Sequence, residues 1–135
     1  MTRTVYVNGK YLPENEATVS IFDRGFLFAD GVYEVTSVLD GKLIDFDGHA
    51  RRLARSLGEL GMRNPIATED LLEVHRELVR ANGIVEGLIY LQITAARLLI
   101  AILPIPVKTR RRPSCCSHKI NQVLRTARWR RQALR

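Results

Sequence analysis

The chain has 135 residues, enough apolar content for one cored domain, and a formal net charge of +7. It contains no apolar run of about eighteen residues, so no membrane-spanning helix is expected. Met1-Thr2-Arg3-Thr4 leads straight into a strand-like pattern without an apolar leader, which makes a cytoplasmic protein the expectation. The adjacent Cys115 and Cys116 form neither a disulfide framework nor a metal-ligand spacing, so no metal is expected.

The net charge conceals a division. Up to Thr94 there are ten Lys/Arg against fourteen Asp/Glu; from Ala95 to Arg135 there are eleven Lys/Arg and no acid. Both cysteines and the only tryptophan, Trp129, fall in the second stretch. So abrupt a change marks a boundary, and the expected organisation is a folded unit over 1–94 followed by a basic, poorly ordered tail over 95–135.

In chain order, Val5-Tyr6-Val7 and Tyr11-Leu12 flank Asn8-Gly9, a dipeptide that accepts the positive φ angles of a tight hairpin turn. Ile21 to Gly25 reads as a turn-bearing segment leading to Phe26-Leu27-Phe28. Tyr33 to Val38, then Asp40-Gly41 and Leu43-Ile44, make a second hairpin. A helix opens near Asp47, taken as its N-cap, with Leu53, Leu57 and Leu60 at helical spacing and Gly61 to end it. A second helix begins at Thr68, carries Glu69 and Asp70 in its first turn, buries Leu71, Val74 and Leu78, and stops at Gly83. Gly87 to Thr94 reads as a largely buried strand. The class is therefore α+β, a mainly antiparallel sheet with two helices. Beyond it, Leu98 to Val107 is apolar without a clean period and is interrupted by Pro104 and Pro106, and nothing there is expected to continue the folded unit.

The chemistry concentrates in Asp23-Arg24-Gly25-Phe26-Leu27-Phe28-Ala29-Asp30-Gly31-Val32-Tyr33-Glu34-Val35. A glycine-punctuated approach delivers Tyr33 to the start of a strand, where its hydroxyl can enter a cleft; by itself it reads first as an edge-strand residue. Arg52, beside Arg51 and Arg55, by itself reads first as a solvated helix charge. His49 and His75 have no second ligand at metal spacing and read as surface or helix-packing residues.

The Asp-Arg-Gly segment with its Asp-Gly-Val-Tyr-Glu run resembles the N-terminal signature of fold-type IV, or class IV, pyridoxal-phosphate aminotransferases, nearest to the D-amino-acid transaminases. The Asn-Gly hairpin, His49-Ala50-Arg51-Arg52-Leu53 and Gly87 to Thr94 extend the resemblance over residues 4–94. It implies Tyr33 and Tyr90 as substrate-binding residues, Tyr33 toward the substrate carboxylate, and Arg52 as the residue that binds the phosphate of the cofactor, pyridoxal phosphate. A guanidinium near a helix N-terminus would suit a phosphate dianion. It also implies amino acids and 2-oxo acids as small-molecule partners, and a homodimer for the intact enzyme.

The resemblance further implies a Schiff-base lysine and a carboxylate at the pyridinium nitrogen, both beyond the resembling region. Lys108 and Lys119, the only lysines after Lys42, have no family context, so no catalytic residue is expected in this chain, and cofactor binding is expected to be weak or absent. Where the family continues with Arg-Gly, this chain has Ala95-Ala96-Arg97. Regrouping plausible codons for Leu98 to Ile105 by one base yields Ala-Ala-Asp-Arg-Asp-Phe-Ala-Tyr, an arginine-bearing loop of the family kind. The same shift turns Ser114 to Lys119 into a Leu-Val-Leu-Phe-type run, so a frameshift after Thr94 is the expectation.

Two other readings stand beside this one. A branched-chain aminotransferase or an aminodeoxychorismate lyase shares the fold. A nucleic-acid-binding protein would use Arg110-Arg111-Arg112 and Arg128-Trp129-Arg130-Arg131 for phosphates and stacking. Those residues are confined to the acid-free segment while the remainder is acidic, so no specific nucleic-acid partner is expected.

Overall fold

Turn chemistry sets the first elements of the computed structural model, which describes residues 2–95 and 99–106. Strands β1 (Thr4–Val7) and β2 (Lys10–Pro13) are joined by Asn8 and Gly9 at φ 50° and 88°, both in the left-handed region that an Asn-Gly turn supplies. Strands β3 (Gly31–Leu39) and β4 (Lys42–Leu43) are joined the same way by Asp40 and Gly41. Between the hairpins lies a one-turn helix, α1 (Arg24–Phe28), which the expected turn-bearing segment did not include. Asp23 caps it, accepting from the Gly25 amide at 2.8 Å. None of its residues is buried; Phe22, Phe26, Leu27 and Phe28 face outward.

Helix α2 (Phe46–Glu59) starts one residue before Asp47, which sits in the first turn and is not the cap. Phe46 is buried edge-on against His75, and covering that ring draws the helix start back. Leu53 and Leu57 face the core, whereas Leu60 is exposed because it lies beyond the last turn. Helix α3 (Thr68–Ala81) buries Leu71, Val74, His75, Leu78 and Val79. Gly61 and Gly83 follow the two helices at positive φ, as helix-ending glycines do. Asn82 ties α3 to β1, accepting from the Thr4 amide at 2.8 Å and donating to the Thr4 carbonyl at 2.9 Å.

Strand β5 (Gly87–Thr94) pairs with β3 on one side and with β6 (Leu99–Pro106) on the other, all antiparallel, in the sheet order β2-β1-β6-β5-β3-β4. Both helices cover one face. There Ile89, Leu91 and Ile93 of β5 meet Ile100 and Ile102 of β6 beneath Leu53, Leu57, Leu71 and Leu78. Tyr33, Tyr90, Gln92, Leu103 and Ile105 lie on the opposite face by strand alternation.

The expectation that nothing past Thr94 joins the folded unit is thus corrected for Leu99–Pro106, which lies inside the sheet. The prolines do not prevent this, for a reason of register. Ile100 donates to Asn8 Oδ1 at 3.2 Å and its carbonyl accepts from the Asn8 amide at 3.1 Å, so its polar groups face β1. Pro104 and Pro106, four and six residues on, turn their missing N–H the same way. Pairing with β1 ends at Ile102, and the ladder to β5 is left whole. Residues 107–135, with both cysteines, Trp129, Lys108, Lys119 and the arginine runs, lie outside the described residues. Among the described residues no helix is long and apolar enough to cross a membrane.

Candidate functional site

Alternation along β3 sends neighbouring side chains to opposite faces, and two clusters form at the strand's beginning. Glu34 turns under the helices and is only 3% exposed. A buried carboxylate requires donors, and α2 supplies them from residues one helical turn apart. Arg52 Nε reaches Glu34 Oε1 at 2.7 Å and Arg52 Nη2 reaches Oε2 at 2.6 Å, a bidentate fork; His49 Nδ1 reaches the same Oε2 at 2.8 Å. Burial pushes the Glu34 carboxyl up, but the Arg52 and His49 hydrogen bonds and charges outweigh it and hold the group below its ordinary value. The Arg52 guanidinium is raised in turn, chiefly by its hydrogen bonds to Glu34.

Arg52 is the seventh residue of α2, nearly two turns from its start. The helix dipole fades within the first turn, so the expectation that it acts at the N-terminal end of the helix is corrected. What prepares this guanidinium is Glu34. The fork engages Nε and Nη2 of Arg52, and the side chain remains 54% exposed with Nη1 outside the fork. That donor set fits an oxyanion such as a phosphate.

On the other face Tyr33 is 64% exposed and stacks on Tyr90, ring centroids 5.8 Å apart and planes 15° from parallel. Tyr90 donates to Gln92 Oε1 at 3.1 Å. With Gly25, Ala29 and Gly31 these three line a shallow cavity of about 180 Å³. Its wall is held by Asp23, whose second carboxylate oxygen accepts from the Thr94 hydroxyl at 2.8 Å, and by the close approach of Gly25 to Thr94, where a Cβ would overlap the threonine methyl. The structure therefore brings Tyr33 and Tyr90 into contact and sets Arg52 on the other face of the same strand end. Glu34 and His49 were not singled out by sequence reasoning as site residues. The available signal was an acid in a strand at a position whose neighbours two residues on face the core. His75 is a helix-packing residue as expected, buried and donating from Nδ1 to the Leu71 carbonyl at 2.8 Å. Among the described residues no group of three metal-ligating side chains occurs.

Known proteins match both the sequence and the fold. A family model described as amino-transferase class IV matches residues 31–134. A D-alanine aminotransferase from Staphylococcus haemolyticus is 42% identical over 90 residues, covering 67% of this chain and 32% of the relative. The chain thus spans about a third of the length of the curated relatives it matches. A branched-chain aminotransferase from Thermoproteus uzoniensis, solved with norvaline, superposes with a TM-score of 0.70 at 24% identity, covering 78% of this chain and 41% of that one. A T.th. branched-chain amino acid aminotransferase with pyridoxamine 5′-phosphate gives 0.75 at 20%, covering 83% and 42%. At these identities the two structures establish the fold.

Proposed function

Because the chain belongs to the amino-transferase class IV family, we propose that it is the N-terminal part of a D-amino-acid transaminase, which moves an amino group from a D-amino acid to a 2-oxo acid. The D-amino-acid assignment is supported by the 42% identity to D-alanine aminotransferase over 90 residues. The observation that carries the site is the exposed outer edge of Arg52, fixed from within by Glu34, at the strand end where Tyr33 enters its cavity.

In this reading Arg52 holds the phosphate of pyridoxal phosphate, its free N–H groups making charge-assisted hydrogen bonds to phosphate oxygens. Tyr33 donates its phenol to the substrate carboxylate, and Tyr90 backs the ring by stacking, so that the α-hydrogen is presented in one orientation. When bound, the cofactor supplies the electron sink for the α-carbon. The lysine that would hold it belongs to the length of the relatives that this chain does not span, and the whole enzyme works as a homodimer on small amino and 2-oxo acids. The reading-frame shift after Thr94 belongs to the same proposal. It rests on the arginine-bearing loop that regrouping restores, since Leu99–Pro106 already forms a strand in the present frame.

Two experiments test this. Borohydride treatment of the 135-residue chain with pyridoxal phosphate, followed by peptide mapping, is expected to label no single lysine stoichiometrically. The gene with its frame restored after codon 94 is expected to give an enzyme active on D-alanine with 2-oxoglutarate. There Tyr33→Phe raises KM more than it loosens the cofactor, and Arg52→Ala does the reverse. An early stop in the restored frame, or a product that binds no pyridoxal phosphate, removes the activity and leaves the fold.

A further inference from the structure

We propose that His49 is a positioning residue for phosphate binding, acting on Arg52 through the carboxylate that the two side chains share. The inference rests on the reading that Arg52 binds phosphate, and it concerns what makes that arginine ready to do so.

Glu34 has two oxygens and receives three donors. Oε1 serves Arg52 alone; Oε2 serves both Arg52 and His49. With Arg52 as its only partner, the carboxylate could turn about its last torsion and carry the fork with it, since sp² end torsions are broad. The imidazole removes that freedom by fixing Oε2 from a second direction. His49 is itself held, being three residues before Arg52 on α2 with its side chain three-quarters covered. An ionised carboxylate only accepts, so Nδ1 of His49 carries the hydrogen in this bond. The charged and titratable groups around the imidazole are Glu34 from β3, Arg52 from α2 and His75 from α3.

The consequence lies at the outer edge of Arg52. An exposed arginine normally samples many rotamers and loses that freedom when it grips an anion. Here the cost has been met in folding, because Nε and Nη2 are committed to Glu34 and the remaining donors point in one direction. His49 keeps that direction constant while contributing no contact of its own to the anion. Its place in the Glu34 network makes His49 more than the surface or helix-packing residue expected from sequence.

The test uses the 135-residue chain and inorganic phosphate, followed in ¹H–¹⁵N spectra through the Arg52 Nε–H resonance. Replacing His49 by Phe removes the donor and is expected to weaken phosphate binding about five- to tenfold while moving the Arg52 resonance toward that of a free guanidinium. His49→Asn, whose amide nitrogen falls near the position of Nδ1, is expected to recover most of both. His49→Ala supplies the same comparison should the Phe variant not fold. If phosphate affinity and the Arg52 resonance are unchanged when His49 is replaced, the inference is overturned while phosphate binding by Arg52 stands. If Arg52→Ala binds phosphate as the unaltered chain does, the underlying reading fails and the phosphate role of His49 fails with it.

Discussion

Replacing His75 by leucine is expected to abolish most of the loss of stability that this chain undergoes between pH 7 and pH 5. The imidazole is 1% exposed, edge-on to Phe46, with its Nδ1 hydrogen given to the Leu71 carbonyl. Protonating Nε2 would place a charge among apolar neighbours, and burial accordingly lowers the group from 6.5 to about 4. Between those values the unfolded chain binds a proton that the folded chain refuses. Stability therefore rises with pH, is complete above about 6.5, and is lost as pH falls toward about 4. The full window of roughly 2.5 pH units corresponds to about 3 kcal/mol, of which about 2 kcal/mol is lost between pH 7 and pH 5. Glu34, held below its ordinary carboxylate value, contributes in the opposite chemical sense but the same direction of pH. Its share is present above about 4.5 and lost as pH falls through the folded value, so the two windows separate. Urea unfolding followed by circular dichroism at pH 7 and 5 measures the difference, and comparison with the leucine variant cancels whatever else titrates. Equal losses in both proteins would refute the assignment to His75.

Other perturbations follow from packing. Leu57→Ala, at a fully buried position of α2, is expected to cost about 2–5 kcal/mol in the same unfolding measurement. Gly25→Ala is expected to cost about 1–3 kcal/mol by driving α1 off Thr94. Adding Thr94→Ser, which removes the obstructing methyl and keeps the hydroxyl bonded to Asp23, is expected to recover part of that loss in a double-mutant cycle. Ending the chain at Ala95 deletes β6 and leaves β1 paired only with β2, so cooperative unfolding is expected to disappear, as a calorimetric scan would register.

The elements legible in the sequence are those whose signal is local. Asn8-Gly9 and Asp40-Gly41 carry their turn geometry within two residues, and the stripe Leu71, Val74, Leu78 repeats on one helix face. Where the deciding interaction is remote, local pattern misleads. Helix α1 is held by Asp23 and Gly25 against Thr94, some seventy residues on, and buries no apolar side chain by which a periodicity could announce it. Strand β6 looks broken by prolines until its register against β5 and β1 is known, because only that register places both missing N–H groups on the side where no partner waits.

The same distinction governs the site. Arg52 is recognisable by resemblance, but its readiness comes from an acid eighteen residues earlier on a different element, and from an imidazole three residues earlier whose partner is that same acid. One step along β3 separates Tyr33, which faces the open cavity, from Glu34, which faces the helices. Strand alternation sends these two adjacent side chains to opposite faces, so that in the proposed function the phenol would meet a carboxylate on one face while Glu34, on the other, holds the guanidinium that would meet a phosphate. Inserting one residue between Tyr33 and Glu34, with the pairing of the rest of β3 unchanged, would turn Tyr33 to the helix-covered face and break its stack on Tyr90. The spacing of Tyr33 to Glu34 is therefore as strict a requirement of this arrangement as the identity of either residue.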